Sequence, residues 1–284
     1  MGGEGLLRIA SESKAHGGRQ GVYTLDSEAC ACEMTLAVFV PPQAKERLCP
    51  VIWYLSDLTC TPSTAMEKGE YRRRAAELGL IVVCPDTSPR GDEVPDDPPN
   101  WLFGKGAGYY LDATEEPWAR HYRMETHVIE ELPRLIASHF AADMGRQGIF
   151  GHSMGGHAAL AFALKYPDRF RSASAFAPIA SPSEAELSIH AYERFLGPDR
   201  AGWRRHDAVA LIEDGHRFDA FLVDQGQADA YLEASLKPWL LEAACRDAGI
   251  PLTLRSHVGY DHSYNFVSTF MDDHLDWHHQ RLAA

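Results

Sequence analysis

Residues 151–157 read Gly151-His152-Ser153-Met154-Gly155-Gly156-His157, a G-x-S-x-G stretch with Ser153 at its centre. The run Gln147-Gly148-Ile149-Phe150 precedes it and a helix-like run from Met154 to Tyr166 follows. A strand, a sharp turn and a helix make a nucleophile elbow, which presents a serine hydroxyl above the carboxyl end of a sheet. The glycines let strand and helix approach closely around the serine, where a β-carbon would clash. The motif alone is common by chance. The strand before it and the helix after it give it weight, and partners downstream in the right order would decide the matter.

Working outward, Glu33 to Val40 reads as a strand ended by Pro41-Pro42. Cys49 to Leu55 and Leu80 to Cys84 are continuous apolar runs, as in strands covered on both faces. Thr64 to Leu78 between them reads as one helix, with Arg72-Arg73-Arg74 as a solvated face. Residues 85–118 are rich in Pro, Asp and Gly and read as a long functional loop. Within it Gly104-Lys105-Gly106-Ala107-Gly108 has neither Walker spacing nor a Gly-Lys-Ser/Thr ending, so no nucleotide site is expected. Tyr122 to His139 reads as a helix bent by Pro133. Ser172 to Phe176, Phe218 to Val223 and Leu252 to Leu254 complete the strands, and Asn265 to Leu282 is a terminal helix. Strands alternating with helices imply an α/β chain, an α/β-hydrolase fold with a mainly parallel central sheet flanked by helices. A single domain over residues 1–284 is expected, with a lid-like insertion around 183–216.

The 284 residues are enough for a sizeable core. A formal net charge of −13 opposes binding to phosphate backbones, so nucleic acid is not an expected partner. No apolar run approaches the ~18 residues of a membrane span. The start, Met1-Gly2-Gly3-Glu4-Gly5-Leu6-Leu7-Arg8, has no basic segment followed by an apolar one, and no Ser or Thr at position 6 for myristoylation. A cytoplasmic enzyme is the expectation. The cysteines at 30, 32, 49, 60, 84 and 245 form no CxxC pair, so reduced thiols are expected and structural zinc is not.

A serine hydroxyl needs an imidazole to take its proton and a carboxylate to orient that imidazole. On this fold the order is serine, acid, histidine. The strand at 218–223 runs into Asp224-Gln225-Gly226-Gln227-Ala228-Asp229. Asp224 at the strand edge reads as a turn anchor. Asp229, beyond Gly226, reads as the acid, with an N-cap as its alternative role. His262, after the next strand and before the last helix, reads as the base. His152 and His157 flank the serine and shape the elbow, while His274, His278 and His279 read as an exposed tail. One oxyanion N–H belongs to Met154, the residue after the nucleophile, and the other to the loop Leu55 to Thr61.

Seven segments in order resemble the S-formylglutathione hydrolase (esterase D) family over almost the whole chain. They are Leu55-Ser56 with Leu58 to Thr61, Pro85 to Gly91, Gly106 to Gly108 and Tyr110 with Asp112 to Thr114, Phe150 to His157, Ser174 to Pro178, Asp224 to Gly226 and Gly259 to Tyr264. The resemblance implies a cofactor-free thioesterase, with no metal, that splits S-formylglutathione into formate and glutathione in formaldehyde detoxification. It implies Ser153 as nucleophile, His262 as base, Asp229 as acid, and Leu58 and Met154 as oxyanion donors. Cys60 matches a family cysteine beside the site that sensitises some members to thiol reagents. A homodimer is a further implication. The alternative reading is a short-chain carboxylesterase of altered specificity.

Two departures from the family stand out. Asp57 replaces the glycine before the oxyanion residue, and Ala180 to Glu186 replaces a Cys-Pro-Trp-Gly-like segment near the acyl and thiol pockets. A carboxylate ~6 Å from the oxyanion, at an effective dielectric constant of ~20, would cost roughly 2–3 kcal/mol, or on the order of 100-fold in rate. Asp57 is therefore expected to be turned away, paired with a cation, or part of a reshaped acyl pocket.

Overall fold

The computed structural model describes residues 6–283. The reading of the extreme amino terminus falls mainly on Met1 to Gly5, outside the described residues. Nine strands form one sheet in the order β1-β2-β3-β5-β4-β6-β7-β8-β9. They are β1 (Arg8–Ala15), β2 (Gly18–Ser27), β3 (Cys32–Val40), β4 (Cys49–Leu55), β5 (Ile81–Pro85), β6 (Ala142–His152), β7 (Phe170–Phe176), β8 (Phe221–Gly226) and β9 (Leu252–His257). From β5 across to β9 every pairing is parallel, whereas β1, β2 and β3 join antiparallel.

Burial explains this division. Every residue of β4, β5 and β8 is buried, as expected of strands covered on both faces. β1 (RIASESKA) is polar and largely exposed, a charged edge that discourages further pairing. It carries no apolar alternation, which is why the sequence reading missed it.

The strand order also places the site. From β4 the chain moves to β5 on one side and then returns to β6 on the other. The carboxyl ends of β4 and β6 therefore flank a topological switch point, where such sheets bind ligands. The loop after β4 and the elbow after β6 meet there.

Several expectations need correction. The helix expected over 64–78 is two helices, Pro62–Lys68 and Tyr71–Leu78, broken at Glu70 in a left-handed conformation, φ 55°. The arginine face is only partly solvated: Arg74 pairs with Asp276 at 2.6 Å, and Arg73 with Asp272, both on the C-terminal helix Tyr264–Leu282. The helix over 122–139 contains a π-turn at His127–Glu131 just before Pro133, so the irregularity sits where the ring interrupts the ladder. Residues 183–216 hold three short helices, tied to the 103–122 loop by Thr114 and Glu115 N–H bonds to the Phe195 carbonyl, at 2.8 and 3.1 Å, and by a Phe103–Trp118–Phe195 ring cluster.

His274 and His278 do not lie on an exposed tail. Both are fully buried where the C-terminal helix crosses β7 and β8. His278 bridges Ser172 and Ser174, and His274 lies between Ser174, at 2.8 Å, and Asp224, at 3.3 Å. Asp224 is also held by Arg255 at 2.6 and 2.5 Å, so it anchors the strand end as expected. Ser174, His274 and Asp224 reproduce a catalytic order of residue types, but in the core, where no substrate reaches.

Burial alone would raise the Asp224 carboxyl; hydrogen bonds from His274 and Arg255 override it and hold it well below the usual range. Its stabilisation is therefore present above the unfolded carboxyl value, ~3.9, and is lost as pH falls through the depressed folded value. Asp224→Ala strands the buried His274 and one face of the part-exposed Arg255, and is expected to lower unfolding free energy by about 3 kcal/mol, read by urea denaturation at pH 7.

Candidate active site

The elbow forms because β6 and the helix Met154–Lys165 approach with no side chain between them. A β-carbon on Gly155 would lie 2.1 Å from the Leu55 carbonyl oxygen, and one on Gly151 would lie 2.4 Å from it. Ser153 adopts φ 55°, ψ −114°, a strained conformation that is rare outside glycine. Its N–H donates to the Phe176 carbonyl at 2.9 Å, and its carbonyl accepts from His157 N–H at 2.9 Å. Both ends of the strained unit are thus fixed by neighbours.

The acid and the base arrive on two loops that bond to each other. Gln227 N–H donates to the His257 carbonyl and Ala228 N–H to the Tyr260 carbonyl, each at 2.9 Å. Gly226 permits this contact, since a β-carbon there would meet the Tyr260 carbonyl oxygen at 2.4 Å. The result places Asp229 Oδ2 2.5 Å from His262 Nδ1. Asp229 Oδ1 accepts from Tyr231 N–H at 2.9 Å, so the residue caps its turn as well as facing the imidazole. Of the two aspartates weighed in the sequence, Asp229 is the one paired with His262.

Ser56 to Cys60 form the loop after β4. Struts that sequence reasoning did not assign hold it. The Ser56 carbonyl accepts from Tyr110 Oη at 3.0 Å, and Thr59 N–H donates to the Gly106 carbonyl at 2.8 Å. The Cys60 carbonyl accepts from Thr87 Oγ1 at 2.7 Å and from Arg90 at 2.8 Å, while Arg90 is braced on Asp86 at 3.0 Å. The Pro85–Gly91 and Gly104–Gly108 segments, quoted from the sequence without a role, are these struts.

Asp57 is not turned away. Its Oδ1 accepts from Leu58 N–H at 2.6 Å, and its Oδ2 lies 3.5 Å from His262 Nε2 and 4.0 Å from His152 Nδ1. His262 is thereby gripped by two carboxylates. Burial opposes its charge, but Asp229 and then Asp57 overcome that and push it up to about 9. His152, buried with its ring 4.6 Å from that of His262 and tilted by 39°, is pushed down to about 4 by desolvation and stays neutral. Among the described residues the Ser153 hydroxyl makes no hydrogen bond, and Nε2 faces Asp57 in its place.

Donor atoms of Asp57, His152 and His262 lie within 4.8 Å of one another, close enough to suggest a metal cluster. An imidazolium paired with a carboxylate accounts for that closeness without an ion. Cys60, at the end of the loop, is half-buried; burial and the Asp57 charge push its thiol up to about 11, which disfavours the nucleophilic thiolate.

The Esterase family model matches residues 27–277. The chain is 48% identical over 273 residues to an S-formylglutathione hydrolase of Paracoccus denitrificans, covering 96% of this chain and 97% of that one. It is 44% identical over 281 residues to an S-formylglutathione hydrolase of Mus musculus, covering 98% and 99%. A solved S-formylglutathione hydrolase from Agrobacterium tumefaciens superposes with a TM-score of 0.96 at 63% identity, covering 97% of this chain and 99% of that one. A ferulic acid esterase at 20% identity, TM-score 0.73, shares the fold. With this elbow at the switch point of this sheet, the chain belongs to the S-formylglutathione hydrolase family.

Proposed function

We propose that the protein hydrolyses S-formylglutathione to formate and glutathione through a formyl ester on Ser153. His262 Nε2 takes the Ser153 proton as Oγ bonds to the formyl carbon. The oxyanion receives the N–H groups of Leu58 and Met154, the latter a first-turn helix donor with no intrahelical partner. The C–S bond then breaks and the sulfur leaves with the proton held on His262. Water, deprotonated by His262, attacks the ester and releases formate and free Ser153. Asp229 orients the imidazole and stabilises its charged form. Cys60 is a neighbour and not a nucleophile.

The observation that carries this reading is the 2.5 Å pairing of Asp229 with His262, whose ring lies 4.6 Å from that of His152, the residue before the strained Ser153. We place the enzyme in the cytoplasm and as a homodimer by analogy with the family, and assign the 183–216 helices a covering role over the site. No described helix is long and apolar enough to cross a membrane.

The test is kcat/KM for S-formylglutathione beside p-nitrophenyl acetate and butyrate. A preference of about 100-fold or more for the thioester is expected, equal to about 2.7 kcal/mol of transition-state discrimination. A flat or ester-favouring profile would assign the scaffold to short-acyl esters, with Asp57 and residues 180–186 as the altered determinants.

A further inference from the structure

Asp57 occupies two places that the reaction needs. One oxygen holds the Leu58 N–H at 2.6 Å, and the other faces His262 Nε2 at 3.5 Å. A carboxylate joining an oxyanion donor to the general base has the shape and charge of formate, the product. It also takes the position on Nε2 that the Ser153 hydroxyl must have for proton transfer. Asp57 is mostly buried, its side chain 17% exposed, so the contact is made at low water content.

We propose that Asp57 is an intramolecular occupant of the acyl site, a carboxylate that closes the free enzyme and is displaced when a substrate acyl group enters. The inference rests on the roles given to Leu58 and His262. It makes Asp57 a positioning residue: it acts by holding His262 away from Ser153 and by excluding small carboxylate anions from the oxyanion donors.

The surroundings leave Asp57 and Asp229 as the charges that control His262. From the elbow His262 faces neutral His152, and from the β8 loop the Tyr231 ring at 5.2 Å. From its own loop comes Asp261, an exposed carboxylate bonded to Ser263, while Tyr264, whose hydroxyl burial pushes far up, packs edge-on to His152. From the chain around Asp57 come Cys60 and Tyr109, both raised by burial and so uncharged near neutrality. With His262 pushed up to about 9, only ~1% of the imidazole is neutral at pH 7, and removing one of its two anions lowers that value.

Two variants separate the two contacts. Asp57→Asn keeps an oxygen for Leu58 but removes the charge from His262. Asp57→Gly removes both. The measurement is the second-order rate of labelling by a fluorophosphonate, which needs Ser153 and His262 but no thioester, against pH and against added formate. The wild-type rate is expected to rise with pH through a limb near 9 and to be slowed only by high formate. In both variants the limb falls by at least about one pH unit, and labelling at pH 7 quickens by about 3- to 10-fold, since a weaker base returns part of the gain. Formate then protects Asp57→Gly at a concentration at least about tenfold below that needed for wild type. An unmoved limb in both variants, or Asp57→Gly labelled more slowly than wild type while its far-ultraviolet dichroism is unchanged, would overturn the proposal. If labelling behaves as expected and S-formylglutathione is not turned over, the substrate assignment fails and the role of Asp57 stands.

Discussion

Ser153→Ala is expected to lower kcat/KM by about 10⁵-fold or more, with folding stability unchanged to within about 0.5 kcal/mol. The kinetic half follows from the position of the hydroxyl. Ser153 is the residue raised at the switch point between β4 and β6. Cys60, the thiol of the loop after β4, is held protonated by burial and by the Asp57 charge. The stability half follows from the hydrogen bonds. Ser153 is fixed through its backbone N–H and carbonyl, and its hydroxyl contributes no bond among the described residues. Alanine keeps the β-carbon, so the strain at φ 55° neither grows nor falls. Steady-state kinetics and a thermal midpoint on the same preparation check both halves.

Asp229→Asn is expected to lower kcat by about 10⁴-fold with KM little changed. The carboxylate at 2.5 Å accepts a hydrogen bond from His262 Nδ1–H and leaves Nε2 as the nitrogen that accepts from serine. An amide in its place donates to Nδ1 and puts the ring proton on Nε2, which reverses the tautomer. The loss of one anion also weakens the base. Asp224→Asn is the informative control, since Asp224 faces Arg255 and His274 in the core. It is expected to lower unfolding free energy while kcat falls less than about tenfold. The opposite pattern, with Asp224→Asn inactive and Asp229→Asn active, would exchange the roles of the two residues.

Ser153, Asp229 and His262 were legible because their order along the chain and their places after strands are constraints that sequence carries directly. The glycines were legible for the same reason: at 151 and 155 the close approach of Leu55 leaves no room for a side chain. β1 was not, because its residues face water on both sides and bear no apolar alternation. The buried histidines of the last helix left a signal that the reading passed over. Val267, Met271, His274, Leu275, His278 and Leu282 fall on one helical stripe, so His274 and His278 share the core face with the apolar residues. Two polar residues on that stripe announced a buried network, and Ser172, Ser174 and Asp224 are its other members. The struts under the oxyanion loop were illegible for another reason. They join residues 27 to 54 positions apart, mostly through side-chain-to-carbonyl bonds, for which no spacing rule exists. The direction of Asp57 likewise depends on a side-chain torsion. Its replacement of glycine marked the position, and only the fold reveals that it turns inward.

The most direct test is a mass spectrum of the enzyme quenched during turnover of S-formylglutathione, followed by peptide mapping. One formyl group is expected on the peptide bearing Ser153, absent in Ser153→Ala and accumulating in a variant with slowed hydrolysis such as Asp229→Asn. A formyl group on Cys60, or turnover with no acyl group on Ser153 in either protein, would contradict the account.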